Sequence, residues 1–191
     1  STSDPKGVAI SHRALAHQLV ALECLTGFDA NTIVTTWLPQ FHDMGLICFL
    51  VPLVLGFHTL AMSPIDFLVS PLLWGSVMEQ WKATAALGPN FAWGLLRKRM
   101  REKGVEPFDL SSIVGAGVSA EPVDPLTLRE MREIGVPQEA VMQAYGLAES
   151  TVLVCSMSNG LTRDGKPRSG NVSEAERTCG IRVVIANEHE H

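Results

Sequence analysis

Residues 32–46 read Thr-Ile-Val-Thr-Thr-Trp-Leu-Pro-Gln-Phe-His-Asp-Met-Gly-Leu, and their two unlike halves decide the fold. Residues 32–38 are dominated by β-branched and aromatic side chains, which suit a pleated strand. Pro39 has no backbone N–H to offer a neighbouring strand and closes the segment. An apolar helix begins near Met44, and a short strand follows at residues 59–62. Strand, helix and strand in that order form the unit from which sheets with parallel neighbours are built.

The alternation continues on both sides. Ser11 can cap a helix whose apolar positions Leu15, Leu19 and Leu22 share one face. Ser70-Pro71 supplies a cap and a proline at the first helical position. Residues 83–87 form the next strand, and Asn90 is placed to cap a helix running towards Glu102. A strand at 112–116 follows, then a helix from Asp124-Pro125 to Gly135, with Pro137 beyond it. Residues 141–144 form a strand leading into Tyr145-Gly146. The expected fold class is therefore α/β, a largely parallel sheet flanked by helices, with ligands gathered at the carboxyl ends of the strands. Residues 156–175 lose all periodicity and read as a surface loop, and residues 181–186 are strand-like again.

Composition excludes several classes of function. The chain has 191 residues, 46% hydrophobic and 18% charged, which suits a compact globular domain. A net charge of −5 argues against nucleic acid as partner, because phosphate neutralisation needs clustered cations. The one basic cluster, Arg97-Lys98-Arg99-Met100-Arg101, is followed by Glu102 and reads as a solvated helix face. Cys24, Cys48, Cys155 and Cys179 show no zinc-like spacing, and Cys24 and Cys48 are expected as buried thiols in a reducing, cytoplasmic setting. The longest apolar run, residues 44–57, is broken by Pro52 and falls short of the roughly 20 residues of a membrane span. The chain opens on Ser-Thr-Ser without an initiator Met and reads as a piece of a longer protein.

Four constellations carry chemistry. Ser1-Thr2-Ser3-Asp4-Pro5-Lys6-Gly7 offers hydroxyls, backbone N–H groups and a lysine to phosphate, although it does not follow the Walker A spacing. His42, between Phe41 and Asp43, is equally readable as a helix cap and as a group orienting a carboxylate at the mouth of an apolar channel. Gly115-Ala116-Gly117-Val118-Ser119-Ala120-Glu121 is a small-residue segment that either makes a plain strand-to-helix turn or lets a flat ring approach the backbone. In Tyr145-Gly146-Leu147-Ala148-Glu149 an aromatic ring, a glycine and a carboxylate lie within five residues, a combination that suits a purine, its phosphates and Mg²⁺. A Tyr-Gly turn also arises for conformational reasons alone.

Together and in this order, Ser-Thr-x-Asp-Pro-Lys-Gly-Val, Trp-Leu-Pro-x-x-His-Asp-Met-Gly-Leu, Ala-Glu-Pro-Val and Tyr-Gly-Leu-Ala-Glu-Ser-Thr resemble the adenylate-forming superfamily. The forms of the second and fourth, with Met62-Ser63-Pro64 and Ala86-Leu87-Gly88-Pro89-Asn90-Phe91-Ala92, are similar to fatty acyl-AMP ligases. The resemblance implies part of the large N-terminal AMP-binding domain across residues 1–191, without the small C-terminal domain. It further implies ATP and Mg²⁺ as cofactors, a fatty acid as substrate and a carrier protein or synthase module as acceptor. Thr2, Ser3 and Lys6 would grip phosphates, and His42 would lie beside the fatty-acid carboxylate. Ser119, Ala120 and Glu121 would border the adenine, Tyr145 and Gly146 would receive its face, and Glu149 would help hold the metal. In the family glycine usually precedes Ala-Glu-Pro; here the residue is Ser119. An acyl-CoA synthetase and a non-catalytic nucleotide- or acyl-binding domain are the alternative readings.

Overall fold

The structure, a computed structural model, describes residues 7–158. Thr2, Ser3 and Lys6, the expected strand at 181–186 and most of the expected loop lie outside the described residues. In chain order the elements are α1 (His12–Thr26), β1 (Ile33–Thr36), α2 (Asp43–Leu55), β2 (His58–Ala61), α3 (Pro64–Val69) and α4 (Pro71–Gln80). β3 (Ala85–Pro89), α5 (Asn90–Lys103), β4 (Gly115–Ser119), α6 (Pro125–Ile134), β5 (Val141–Gly146) and β6 (Leu153–Ser158) follow.

The strands form one six-stranded sheet in the order β2-β1-β3-β4-β5-β6. Every pair from β2 to β5 is parallel, and β6 alone runs antiparallel, against β5. The expected α/β sheet flanked by helices is thus the fold found. The chain leaves β1 for β2 on one side and later passes to β3 on the other, so its direction of travel reverses at β1. Right-handed crossovers in the two directions put their helices on opposite faces. One face packs α1 and α2 over Val34 and Ala85, with Leu19, Ile47 and Val51 inserted between them. The other buries Trp74, Trp93, Leu96 and Met131 from α4, α5 and α6 against Ala86, Ala116 and Val118.

The second face is an aromatic core. Trp37 stacks on Phe67 with ring centroids 4.0 Å apart, and Trp74 meets both rings edge-on. Each buried indole of α4 and α5 also needs an acceptor, and the sheet provides one. Trp74 Nε1 donates to Thr35 Oγ1 at 3.1 Å, and Trp93 Nε1 to the Gly117 carbonyl at 3.3 Å.

Local chemistry sets most boundaries. Ser11 Oγ accepts from the Ala14 N–H at 3.1 Å, and Asp124 Oδ1 accepts from the Leu126 N–H at 2.8 Å. Gly135 ends α6 with φ of 118°, where any Cβ would also strike the Phe108 carbonyl. The basic cluster is the solvated, ion-paired face expected: Arg97 bonds Glu133 at 2.6 Å and Arg99 bonds Glu102 at 2.8 Å, while Met100 points inward and is buried.

Four expectations are corrected. β4 spans Gly115–Ser119 rather than 112–116. The Ser112 hydroxyl donates to the Ala83 carbonyl at 2.8 Å in a turn, and pairing with β3 draws the glycines into the strand despite their low β propensity. Asn90 is the first residue of α5 rather than its cap; its side chain accepts from the Asp124 N–H at 3.3 Å, and the cap on Phe91 comes from Glu121. Cys24 is exposed, because α1 turns it away from the sheet, whereas Cys48 is buried. Residues 156–158, expected at the start of the loop, complete β6, where Ala144 pairs with Ser156. Their Ser and Met composition hides a strand that pairing with β5 supplies.

Removal of the Trp74 side chain, fully buried against the rings of Trp37, Phe67 and Trp93, is expected to destabilise the fold by about 3–5 kcal/mol. Thr35→Val leaves the indole N–H without its acceptor and should cost about 1–3 kcal/mol. Urea unfolding of the full-length protein, followed by tryptophan fluorescence, measures both; a Thr35→Val loss as large as that of Trp74→Ala contradicts the assignment.

Candidate functional site

The reversal at β1 opens a crevice at the carboxyl ends of the strands, and a cavity of about 240 Å³ lies there between the sheet and α1 and α2. Its depth is apolar: Leu22, Phe28, Val34, Ile47, Val51 and Phe57 line it. Phe28 and Phe57 meet edge to face, with centroids 5.8 Å apart and planes at 81°. The sheet side is kept low by Gly115 and Gly117: an added Cβ would overlap the Leu87 side chain at Gly117 and reach Met142 and Phe28 at ordinary contact distance at Gly115. Its mouth is polar, formed by His42 and Asp43 from α2, Ser119 and Ala120 from β4, and Tyr145 and Gly146 from β5.

His42 caps α2, the helix that forms the channel wall. Its Nδ1 lies 2.8 Å from Asp43 Oδ1 and 3.3 Å from the Met44 nitrogen. Nδ1 accepts from the Met44 N–H, and Asp43 Oδ1 accepts from the same N–H at 2.6 Å. Nε2 makes no hydrogen bond among the described residues and is left for a ligand. The cap and the ligand-facing readings of His42 are therefore compatible. Gly45 holds the helix start against the preceding loop, because a side chain there would collide with the Pro39 carbonyl.

Ser119 ends β4 and donates its hydroxyl to Met44 Sδ at 3.3 Å across the mouth. Ala120, with φ of 71°, occupies the left-handed region, a strain of about 1–2 kcal/mol for a residue with a Cβ. Tyr145 is 54% exposed, so one aromatic surface is open at the mouth. Gly146 is required by the backbone: a Cβ there would overlap the Val152 carbonyl, where the β5–β6 register shifts.

Five of the sequence-derived residues, His42, Ser119, Ala120, Tyr145 and Gly146, thus surround one cavity. Glu121 does not line it; its carboxylate accepts from the Phe91 N–H at 2.9 Å and caps α5. Glu149 stands exposed on the short 3-10 turn Ala148–Ser150 beside the mouth. No group of three or more His, Cys, Asp or Glu side chains is arranged around a metal position among the described residues. Sequence reasoning missed Asp43 and Met44 at the mouth, Phe28 and Phe57 in the depth, and Ser156 on β6. No helix among the described residues is long and apolar enough to cross a membrane.

A parallel sheet whose chain reverses direction at an apolar cavity with a polar, partly aromatic mouth defines a class of proteins that hold an amphipathic ligand at the strand ends. The chain belongs to the AMP-binding enzyme family, whose profile it matches over residues 1–190. It is 35% identical over 200 residues to the medium-chain-fatty-acid–acyl-carrier-protein ligase of Moorena producens, covering 97% of this chain and 34% of that protein. It is 34% identical over 190 residues to the long-chain-fatty-acid–AMP ligase of Mycobacterium marinum, covering 94% of this chain and 32% of that protein. The crystal structure of the fatty acyl-adenylate ligase of L. pneumophila, in complex with acyl adenylate and pyrophosphate, superposes with a TM-score of 0.77 at 42% identity. That match covers 83% of this chain and 29% of the ligase. The chain therefore spans about a third of the length of the relatives it matches.

Burial pushes the Cys48 thiol up to about 11. At pH 7 only about one Cys48 side chain in ten thousand is then the reactive thiolate. A maleimide is expected to label exposed Cys24 readily and Cys48 slower by at least about a hundredfold, the Cys48 rate rising about tenfold per pH unit below 11. Peptide mapping by mass spectrometry checks the order; comparable rates at pH 7 contradict the burial of Cys48.

Proposed function

We propose that this chain forms the acyl and adenine walls of an enzyme that joins a fatty acid to AMP, releasing pyrophosphate and presenting the acyl-adenylate to a carrier-protein thiol. The supporting observation is the convergence of three separate motifs on a single cavity, apolar in its depth and polar at its mouth. The similar L. pneumophila ligase was solved with an acyl adenylate and pyrophosphate, and the similar M. producens enzyme is a fatty-acid–carrier-protein ligase.

In this reading the alkyl tail lies between α2 and the sheet, where each buried methylene contributes about 0.8 kcal/mol. His42, its ring fixed through Nδ1, turns Nε2 to the carboxylate and holds it at the mouth. Ser119 and Ala120 border the adenine, with Glu121 behind them fixing their position through its cap on α5, and the exposed Tyr145 ring stacks on the purine above Gly146. Thr2, Ser3 and Lys6 grip the phosphates. The carboxylate oxygen attacks the α-phosphorus and the bond to the pyrophosphate oxygen breaks. Rate enhancement comes from holding the two reactants together and from neutralising charge on the phosphates.

Glu149 suits Mg²⁺, which takes one or two carboxylates and completes its shell with phosphate oxygens and water. Its carboxylate is exposed and makes no ion pair among the described residues. Bound there, the ion would neutralise the phosphate oxygens. The reaction belongs in the cytoplasm, where ATP and carrier protein are available.

Fatty-acid-dependent ATP–pyrophosphate exchange by the full-length protein tests the reading. Exchange with medium- or long-chain acids is expected, followed by transfer to holo-carrier protein in preference to CoA. Efficient acyl-CoA formation would instead make the enzyme an acyl-CoA synthetase, and intact ATP binding without exchange would leave a binding domain. Glu149→Ala should lower exchange by at least about a hundredfold while fatty-acid affinity changes little; unchanged exchange at limiting Mg²⁺ refutes the metal role.

A further inference from the structure

Two serines at the mouth retain hydrogen-bonding capacity that a simple fatty acid would not use. Ala144 of β5 pairs with Ser156 of β6, and the β4–β5 register, which sets Val118 opposite Gln143, sets Ser119 beside Ala144 when carried one residue further. Ser119, Ala144 and Ser156 therefore form one row across three strands, and all three residues line the cavity. The serines flank the small alanine at two strand spacings, about 9–10 Å apart at the backbone.

The two hydroxyls are poorly satisfied within the protein. Ser156 Oγ is buried and has no hydrogen-bond partner among the described residues. Ser119 Oγ has only the Met44 thioether, a weak acceptor that a ligand oxygen readily displaces. A buried hydroxyl without a partner calls for an explanation, and on a residue that lines a ligand cavity the ligand is a candidate, reached by a turn about the Ser156 Cα–Cβ bond. Deeper in the cavity the supply of strong polar groups is spent: the Thr26 hydroxyl already donates to the Leu22 carbonyl at 2.7 Å, and the remaining depth is aliphatic, aromatic or, at Cys48 and Met142, sulfur-bearing. The unused capacity is confined to the level of His42 and Ser119.

We propose that the acid bound here carries a hydroxyl or keto oxygen on its second or third carbon, received by Ser156 and Ser119, with an unsubstituted tail beyond. This inference rests on the fatty-acid reading above and narrows it from alkanoic acids to acids oxygenated near the carboxylate. The oxygen sits near the carboxylate because the serine row is level with the mouth. A substituent further along the tail would enter the apolar depth between Phe28 and Phe57 and lose its hydration without replacement.

The test is ATP–pyrophosphate exchange by the full-length enzyme with decanoic, 2-hydroxydecanoic, 3-hydroxydecanoic and 10-hydroxydecanoic acids. One of the two proximal hydroxy acids is expected to exceed decanoic acid by about tenfold in kcat/KM, the worth of one added neutral hydrogen bond. The distal hydroxy acid should fall below decanoic acid. In Ser156→Ala, and in Ser156→Cys as a second variant of similar size, the ratio of proximal hydroxy acid to decanoic acid should drop to about one. Equal kcat/KM for decanoic and both proximal acids, or a ratio unchanged in both variants, overturns the inference and leaves fatty-acid activation standing. Absence of exchange with all four acids overturns both.

Discussion

The reversal of chain direction at β1 is the constraint on which the remaining architecture depends. Right-handed crossovers that travel along the sheet in opposite directions, β1 to β2 and then β2 to β3, must cover opposite faces of it. α2 therefore lies on the face with α1, and α4 on the face with α5 and α6. Where the two paths part, no helix among the described residues closes the strand ends, and the cavity occupies that gap. The apolar stripe of Ile47, Cys48 and Val51 on α2 follows from the same geometry, because that side faces the sheet and the cavity, whereas Leu46, Leu53 and Val54 are exposed.

The two faces meet different physical demands. The aromatic face is densely filled, and the indole N–H groups of Trp74 and Trp93 are anchored to Thr35 and to the Gly117 carbonyl, so α4 and α5 hold the strands in register. The α1–α2 face is filled only partly, since Gly115 and Gly117 withhold the side chains that would close it. A rigid half thus supports a hollow one. Glu121 and Asn90 extend the rigid half to the mouth: the first ties the segment after β4 to the start of α5, and the second ties the start of α5 to that of α6.

What was legible in the sequence was what short-range chemistry decides. Caps such as Ser11 and Asp124, stops such as Gly135, and the β-branched run of β1 act within a few residues and could be read directly. Errors arose where a distant partner decides the outcome. β4 shifted because its pairing with β3 outweighs the weak strand propensity of two glycines, and β6 was missed because only β5 makes a strand of a Ser- and Met-containing segment. Asn90 resembled a cap, yet the carboxylate that caps α5 stands thirty residues further on. The site divides in the same way. His42, Ser119, Ala120, Tyr145 and Gly146 were readable as short motifs, whereas Phe28, Phe57 and Ser156 carry no local signature and reach the cavity only through the topology.

Ala120 bears on how well defined the mouth is. A residue with positive φ is ordinarily glycine, which would adopt this turn without strain and would also bring many alternative turns within reach. Alanine's methyl group narrows that choice, both in the unfolded chain and around the folded turn. The modest strain accepted at one peptide unit is exchanged for a bend of few alternatives, so that Ser119 and the segment after it keep a single outline before any ligand arrives. A receptor already in its bound shape loses less entropy on association, and its selectivity rests on fit more than on adaptation.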